Sequence, residues 1–247
     1  MTTQLLIYKS AVPVNRSVHH DCFVDIGANY DFTAEVNSVP LMAIEFPQAA
    51  SEYAIVFGGV EADLTPAAIL GVRTNENLFL EENGSWQAKY IPAFVRRYPF
   101  VFSHAEERFL LCVDEEFSGF NREGRGQRLF NADGSPTEYV DGILKFLQDY
   151  QTHYQATMRF CGRLKELNLL EPMTAQVVLE SGPPLSLGGF QAVNREKLKA
   201  LPAETLRELA QSDELELIYM HLNSLRNFDR LRERLARHPA EAAAAVH

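Results

Sequence analysis

Two adjacent arginines, Arg96 and Arg97, stand in the most aromatic stretch of the chain, Trp86 to Asp114 (WQAKYIPAFVRRYPFVFSHAEERFLLCVD). A guanidinium is planar and presents paired N–H donors. Either arginine could therefore clamp a ligand carboxylate or phosphate through two parallel hydrogen bonds. On a strand the two would face opposite ways, and on a helix they would sit about 100° apart. One is then available to a ligand while the other pairs with an internal acid such as Glu52 or Asp114. Both also fit a scaffold role, since arginines commonly serve surface ion pairs. Trp86, Tyr90, Phe94 and Tyr98 recur every four residues, which would place them on one helical face, although Pro92 argues against an unbroken helix. Rings beside arginines suit a small-molecule pocket or plain core packing. With Arg73, the candidate ligand-binding set is Arg96, Arg97, Trp86, Tyr90, Tyr98, Glu52 and Arg73.

Other reactive residues give less. His19-His20-Asp21 with Cys22 has metal-ligand residue types, but adjacent histidines in an extended segment diverge, so no metal site is expected. His104-Ala105-Glu106 lacks the P-C-x-x-C element that a zinc deaminase needs. Cys112 and Cys161 lie in apolar patterns and read as core thiols. His221 lies beside the apolar stripe of the last helix and reads as a satisfied packing residue. Its neighbours Asn223 and Ser224 do not converge with it at helical spacing. Gly58-Gly59, Gly124-Arg125-Gly126 and Gly188-Gly189 match no nucleotide loop, and G-x-S-x-G is absent. No cofactor is expected, and no catalytic set is complete.

The elements that must position these residues follow from periodicity. Leu5 to Tyr8, Cys22 to Ile26, Tyr53 to Phe57, Ile69 to Arg73, Leu78 to Leu80, Phe100 to Ser103 and Phe109 to Val113 read as strands. The loop His104–Glu107 joins the last two. The connections are too short for crossover helices, so the sheet is expected to be mainly antiparallel. Asn83-Gly84 and Asn131–Gly134 read as turns. Ser135-Pro136-Thr137-Glu138 forms a capping box for a helix reaching about Leu167, with Val140, Ile143, Leu144, Leu147, Tyr150, Tyr154, Met158, Cys161 and Leu164 on its stripe. Gly162 is a candidate bend and Glu171-Pro172 a stop. Ala175 to Leu179 and Leu187 to Val193 read as strands around the turn Gly182-Pro183-Pro184. Asn194 caps a short helix to Leu201, Pro202 starts another to Ala210, and a last helix runs from Glu214 to Ala236.

The fold class expected is α+β: a mainly antiparallel sheet or partial barrel from residues 1–114, packed by the long helix and the C-terminal helices. Residues 1–236 are expected to form one domain, with 237–247 a flexible tail. Of 247 residues, 46% are hydrophobic and 23% charged, enough for a core without metals or disulfides. The formal net charge of −10 disfavours nucleic acid and anionic membranes as partners. Three cysteines without a CxxC pair, no signal peptide and no apolar run of span length lead to a cytoplasmic expectation.

Several segments resemble the bacterial SapC family. They are Glu45-Phe46, Glu52 to Phe57, Leu70 to Arg73, Glu76 to Phe79, Trp86 and Tyr90 to Phe100. Leu129-Phe130 before Asp133-Gly134, Gly188-Gly189-Phe190 and Ile218 to Leu225 continue the likeness in order, from about Tyr8 to Arg234. The resemblance implies an accessory role in nutrient uptake or modification, because such members are encoded near outer-membrane receptors and tryptophan-halogenase-like flavoproteins. It supplies no catalytic residues. The leading expectation is a non-enzymatic accessory protein that binds a small molecule, a peptide or a partner protein, with a flavoprotein among the partners. The alternatives are an enzyme working with such a flavoprotein, with His104, His153 or His221 beside a carboxylate or cysteine in a cleft, and a structural subunit. An exposed apolar patch along the last helix would favour a partner or a homo-oligomer.

Overall fold

The computed structural model describes residues 5–59, 64–105, 108–177 and 184–237. Eleven strands and eight helices lie within these residues. The N-terminal part holds β1 (Ala11–Pro13), α1 (Arg16–His19), β2 (Phe23–Val24), β3 (Ser38–Pro40), α2 (Phe46–Ala49), β4 (Ala54–Gly58) and β5 (Thr65–Ile69). The middle holds α3 (Ala93–Arg96), β6 (Phe100–Ala105), β7 (Arg108–Asp114), β8 (Phe120–Asn121) and β9 (Gln127–Arg128). The rest holds α4 (Glu138–Glu166), β10 (Leu170–Val177), β11 (Leu185–Val193), α5 (Arg195–Lys199), α6 (Ala203–Gln211), α7 (Glu214–Ser224) and α8 (Asn227–Arg237).

All pairings are antiparallel, in a five-stranded sheet ordered β10-β11-β4-β5-β3 and two three-stranded sheets, β1-β7-β6 and β8-β2-β9. The fold is α+β as expected, but the sheets do not close into a barrel. One buried apolar cluster runs from Ile7 to Leu235 and includes Phe46, Tyr53, Ile55, Phe57, Phe94, Phe160 and Ile218. The 29-residue α4 packs along it because Val140, Leu147, Tyr150, Thr157, Phe160, Cys161 and Leu164 fall on one buried face. Glu138 and Asp141 near its start and Arg163 and Lys165 near its end complement the helix dipole.

The central sheet contains a substitution of side chain for strand. β11 meets β4 at Phe190 opposite Gly58 and Gln191 opposite Phe57. Continuing that register brings Val193 opposite Ile55, but the imidazole of His221, from α7, stands between them. The Val193 N–H donates to His221 Nε2 at 3.0 Å, and His221 Nδ1 donates to the Ile55 carbonyl at 2.9 Å. Ser224 Oγ accepts from the Ile55 N–H at 3.0 Å, so Ile55 is satisfied on the side where a strand partner would lie. Burial holds the His221 pKa down at about 4, so the ring is neutral and works as one donor and one acceptor. His221 is the satisfied packing residue expected.

Several elements differ from expectation for local reasons. Leu5 to Tyr8 is a helical turn and no strand, with Tyr8 N–H on the Leu5 carbonyl. The strand expected at Ile69 to Arg73 ends at Ile69, and Leu70 to Arg73 turns around Glu76, whose carboxylate accepts from the N–H groups of Val72 and Arg73. Leu78 to Leu80 contributes only an isolated bridge, Leu80 with Trp86. The N-cap of α4 is Thr137, while Ser135 Oγ donates to Asp133 and Pro136 bridges Phe130. α4 runs through Gly162 and ends at Glu166; Asn168 at φ 51 turns the chain, and Glu171-Pro172 already belongs to β10. The expected last helix is two helices, because Asn227 is buried with its amide on the carbonyls of Ala50 and Tyr53. A bulge sets the β10–β11 register between Met173 and Ala175, and Gly189 at φ +83 supplies the backbone turn opposite it. Residues 178–183, part of the loop at 104–107, and the tail from 238 lie outside the described residues.

Candidate functional site

The arginine pair divides as helical geometry requires. α3 is a single turn that follows its N-cap Pro92 and carries Arg96 at its end, with Arg97 next. Arg97 is buried, its guanidinium over the rings of Phe94 at 4.4 Å, Tyr150 at 4.9 Å and Tyr8 at 5.6 Å. Arg96 is exposed and held flat: Nε donates to the Ile91 carbonyl at 2.9 Å, and the guanidinium lies 5.7 Å from the Tyr90 centroid and 5.5 Å from that of Phe146. Cation–π contact with two rings restrains the side chain, and Arg96 lines a groove.

That groove encloses about 370 Å³ between the turn at Met42–Gln48, the segment Tyr90–Arg96 and one face of α4. Phe146, Asp149, Tyr150 and His153 line the α4 side, at spacings of three and four that a helix brings to one face.

A buried carboxylate builds the opposite wall. Glu45 Oε1 accepts from the Ala93 N–H and the Tyr90 hydroxyl, each at 2.7 Å, and Oε2 accepts from the Met42 N–H at 2.7 Å. Its charge is thus spent on three donors from two segments, one of them the first amide of α3. Thr157 Oγ1 accepts from the Ala43 N–H at 2.9 Å and donates to the His153 carbonyl at 2.8 Å, which ties the turn to α4.

Two tyrosines that line the groove are protonated. Burial raises the Tyr90 pKa well above the ordinary phenol range; the charge and hydrogen bond of Glu45 add to this, and Arg96 opposes it. Burial lifts Tyr150 to about 12. The Tyr150 hydroxyl is buried and has no hydrogen-bond partner among the described residues. A buried hydroxyl in that state costs about 1–3 kcal/mol, which a bound acceptor would offset.

Of the seven candidate residues, Tyr90 and Arg96 share this groove. Trp86 lies in another aromatic cluster, its Nε1 donating to the Tyr53 hydroxyl at 2.8 Å. Tyr98 stacks on Phe32 at 4.1 Å and donates to Asp114 at 3.2 Å. Asp114 also accepts from the backbone of Lys9, Ser10 and Glu116. Arg73 pairs with Glu76 at 2.9 Å, and half-buried Glu52 sits on the turn before β4. Of the three histidines, His153 lines the groove near Asp149 and Glu45, His221 is in the core, and exposed His104 packs against the Phe109 ring. His19 is buried between the Asn15 N–H and Glu115, whereas His20 is exposed. No group of three His, Cys, Asp or Glu side chains among the described residues is placed to hold a metal. No described helix is long and apolar enough to cross a membrane.

Sequence reasoning missed Glu45, Phe146 and Asp149 as groove residues, and named His153 only as one of three histidines for an enzyme's cleft. The signal for those on α4 was a second stripe on the long helix, 146-149-150-153, which shares Tyr150 with the apolar stripe.

The structure defines an α+β protein with a groove lined by an arginine, and by itself no particular chemistry. A family model for SapC matches residues 14–231, and the chain belongs to the SapC family. No curated protein and no solved structure matches it.

Proposed function

We propose that this SapC protein is an accessory factor that binds a small organic molecule in the groove between α3 and α4, without chemistry of its own. The observation that carries the reading is the Arg96 guanidinium, which lies against the rings of Tyr90 and Phe146 and lines a groove of ligand size. Such rigid, partly apolar concavities with few polar groups are the usual form of small-molecule sites. Three of the groove's ionisable groups support holding over reacting: Glu45 is saturated by donors, and Tyr90 and Tyr150 keep their protons at neutral pH. We further propose that the chain acts as one folded unit in the cytoplasm, and that a flavoprotein of the kind encoded near its relatives is the partner to test.

Native and denaturing mass spectra of gently purified protein test the proposal. The expected result is an added small mass in the native spectrum that departs on denaturation and is absent from Arg96→Ala. An added mass that survives Arg96→Ala, or an empty groove that none of a metabolite panel stabilises against heat, overturns it.

A further inference from the structure

We infer that the groove is built for an amino-acid-like zwitterion with an apolar body, an inference that rests on the small-molecule reading above. The argument is a count of unspent charge. Besides Tyr90 and Tyr150, four ionisable side chains line the groove: Glu45, Arg96, Asp149 and His153. Glu45 is consumed by its three donors. Arg96 uses Nε on the Ile91 carbonyl and only a long 3.5 Å contact from Nη2 to the Tyr90 hydroxyl, so Nη1 and most of Nη2 remain for an anion. Asp149 is exposed on the rim and makes no hydrogen bond or ion pair with any described residue. Beside the His153 imidazole, the groove therefore offers one guanidinium, Arg96, and one carboxylate unpaired among the described residues, Asp149, which follows Phe146 by three residues on α4 while Arg96 lies against the Phe146 ring.

A ligand with only a carboxylate satisfies Arg96 and faces Asp149 across the site. A ligand with only an ammonium does the reverse. A zwitterion satisfies both ends, carboxylate on the Arg96 fork and ammonium on Asp149.

The remaining surface fits the rest of an amino acid. Met42, Ile44, Ala93 and Phe146 give an apolar bed, and Ile44 is 59% exposed although its neighbours Ala43 and Glu45 are buried. The buried Tyr150 hydroxyl, without a partner among the described residues, supplies a donor for a ligand oxygen. That orphan group is independent of the two rim charges and points to an occupant.

Isothermal titration with L-phenylalanine, N-acetyl-L-phenylalanine and L-phenylalaninamide tests this on the full chain, with Arg96→Ala and Asp149→Asn. Both altered residues are exposed, and circular dichroism melts confirm folding. Wild type is expected to bind L-phenylalanine about tenfold or more tightly than either blocked form, the scale of one charge-assisted hydrogen bond. Acetylation should cost nothing further in Asp149→Asn, and amidation nothing further in Arg96→Ala. Equal binding of all three compounds by wild type, or losses that persist in the matching variants, overturns the zwitterion. If none of the three binds while other small molecules still bind in an Arg96-dependent way, the zwitterion fails and the groove stands. If no small molecule binds through Arg96, both readings fail.

Discussion

Replacing His221 by leucine separates two contributions that the structure places in one ring. At neutral pH the variant loses the partner of the Val193 N–H and of the Ile55 carbonyl, both buried. Two such groups left unmet cost about 2–5 kcal/mol together. The second contribution depends on pH. Burial lowers the His221 pKa from 6.5 to about 4, so between those values the unfolded chain binds a proton that the folded chain refuses. Stability from this group is therefore fully present above pH 6.5 and is lost as pH falls toward 4. At about 1.4 kcal/mol per pH unit, wild type loses roughly 2 kcal/mol between pH 7 and pH 4.5 that the leucine variant does not. Carboxylates titrate in both proteins and cancel in the difference. Urea denaturation at several pH values, followed by far-UV circular dichroism and by the fluorescence of Trp86, gives both curves. The stability gap should narrow steadily as the pH falls. A gap constant to within about 0.5 kcal/mol across that range would refute the neutral, bridging imidazole.

Glu45→Gln keeps size but turns an amide NH₂ toward groups that are themselves donors. It should cost about 2–3 kcal/mol by urea denaturation and weaken ligand binding at Arg96, because Tyr90 and α3 lose their common anchor. Asn227→Ala strips the donor from the carbonyls of Ala50 and Tyr53, and should lower stability by about 2 kcal/mol without altering the groove, checked by thermal melting beside ligand titration. At Gly71 an added Cβ would lie 2.0 Å from the backbone oxygen of Glu76. Gly71→Ala should therefore shift the turn that Glu76 closes, cost about 2 kcal/mol or more, and open residues 71–77 to limited proteolysis.

What could be read from the chain follows how local each cause is. α4 was legible because nine apolar residues keep helical spacing, and the β6–β7 hairpin because two apolar runs flank a charged loop. β5 was obscured by its own composition: Thr65-Pro66-Ala67-Ala68 has little strand character, and pairing with β3 and β4 makes the strand. The break between α7 and α8 has no glycine or proline to announce it; the carbonyls bonded by Asn227 lie more than 170 residues away in sequence. The groove divides in the same way. Arg96 and Tyr90 stand out by residue type in a dense aromatic segment. Asp149 looks like an ordinary helix-surface residue, and His153 like one of several histidines without a partner, until the turn at Met42–Gln48 packs beside them. Trp86 and Tyr98 drew notice for the same reason as Tyr90, yet their rings and polar atoms are used within the protein.

The strand order β10-β11-β4-β5-β3 has a consequence for synthesis. β3, β4 and β5 leave the ribosome within the first 69 residues, while β11 follows only at Leu185–Val193. Until then β4 has an open edge of unpaired amides on its most apolar segment, Ala54-Ile55-Val56-Phe57, each residue at most 1% exposed in the finished fold. Exposed apolar edges of this kind recruit other strands. Chains stopped before Leu185 should therefore aggregate, and chains that reach the end of α7 should stay dispersed, since only then is β4 covered by β11, His221 and Ser224 together.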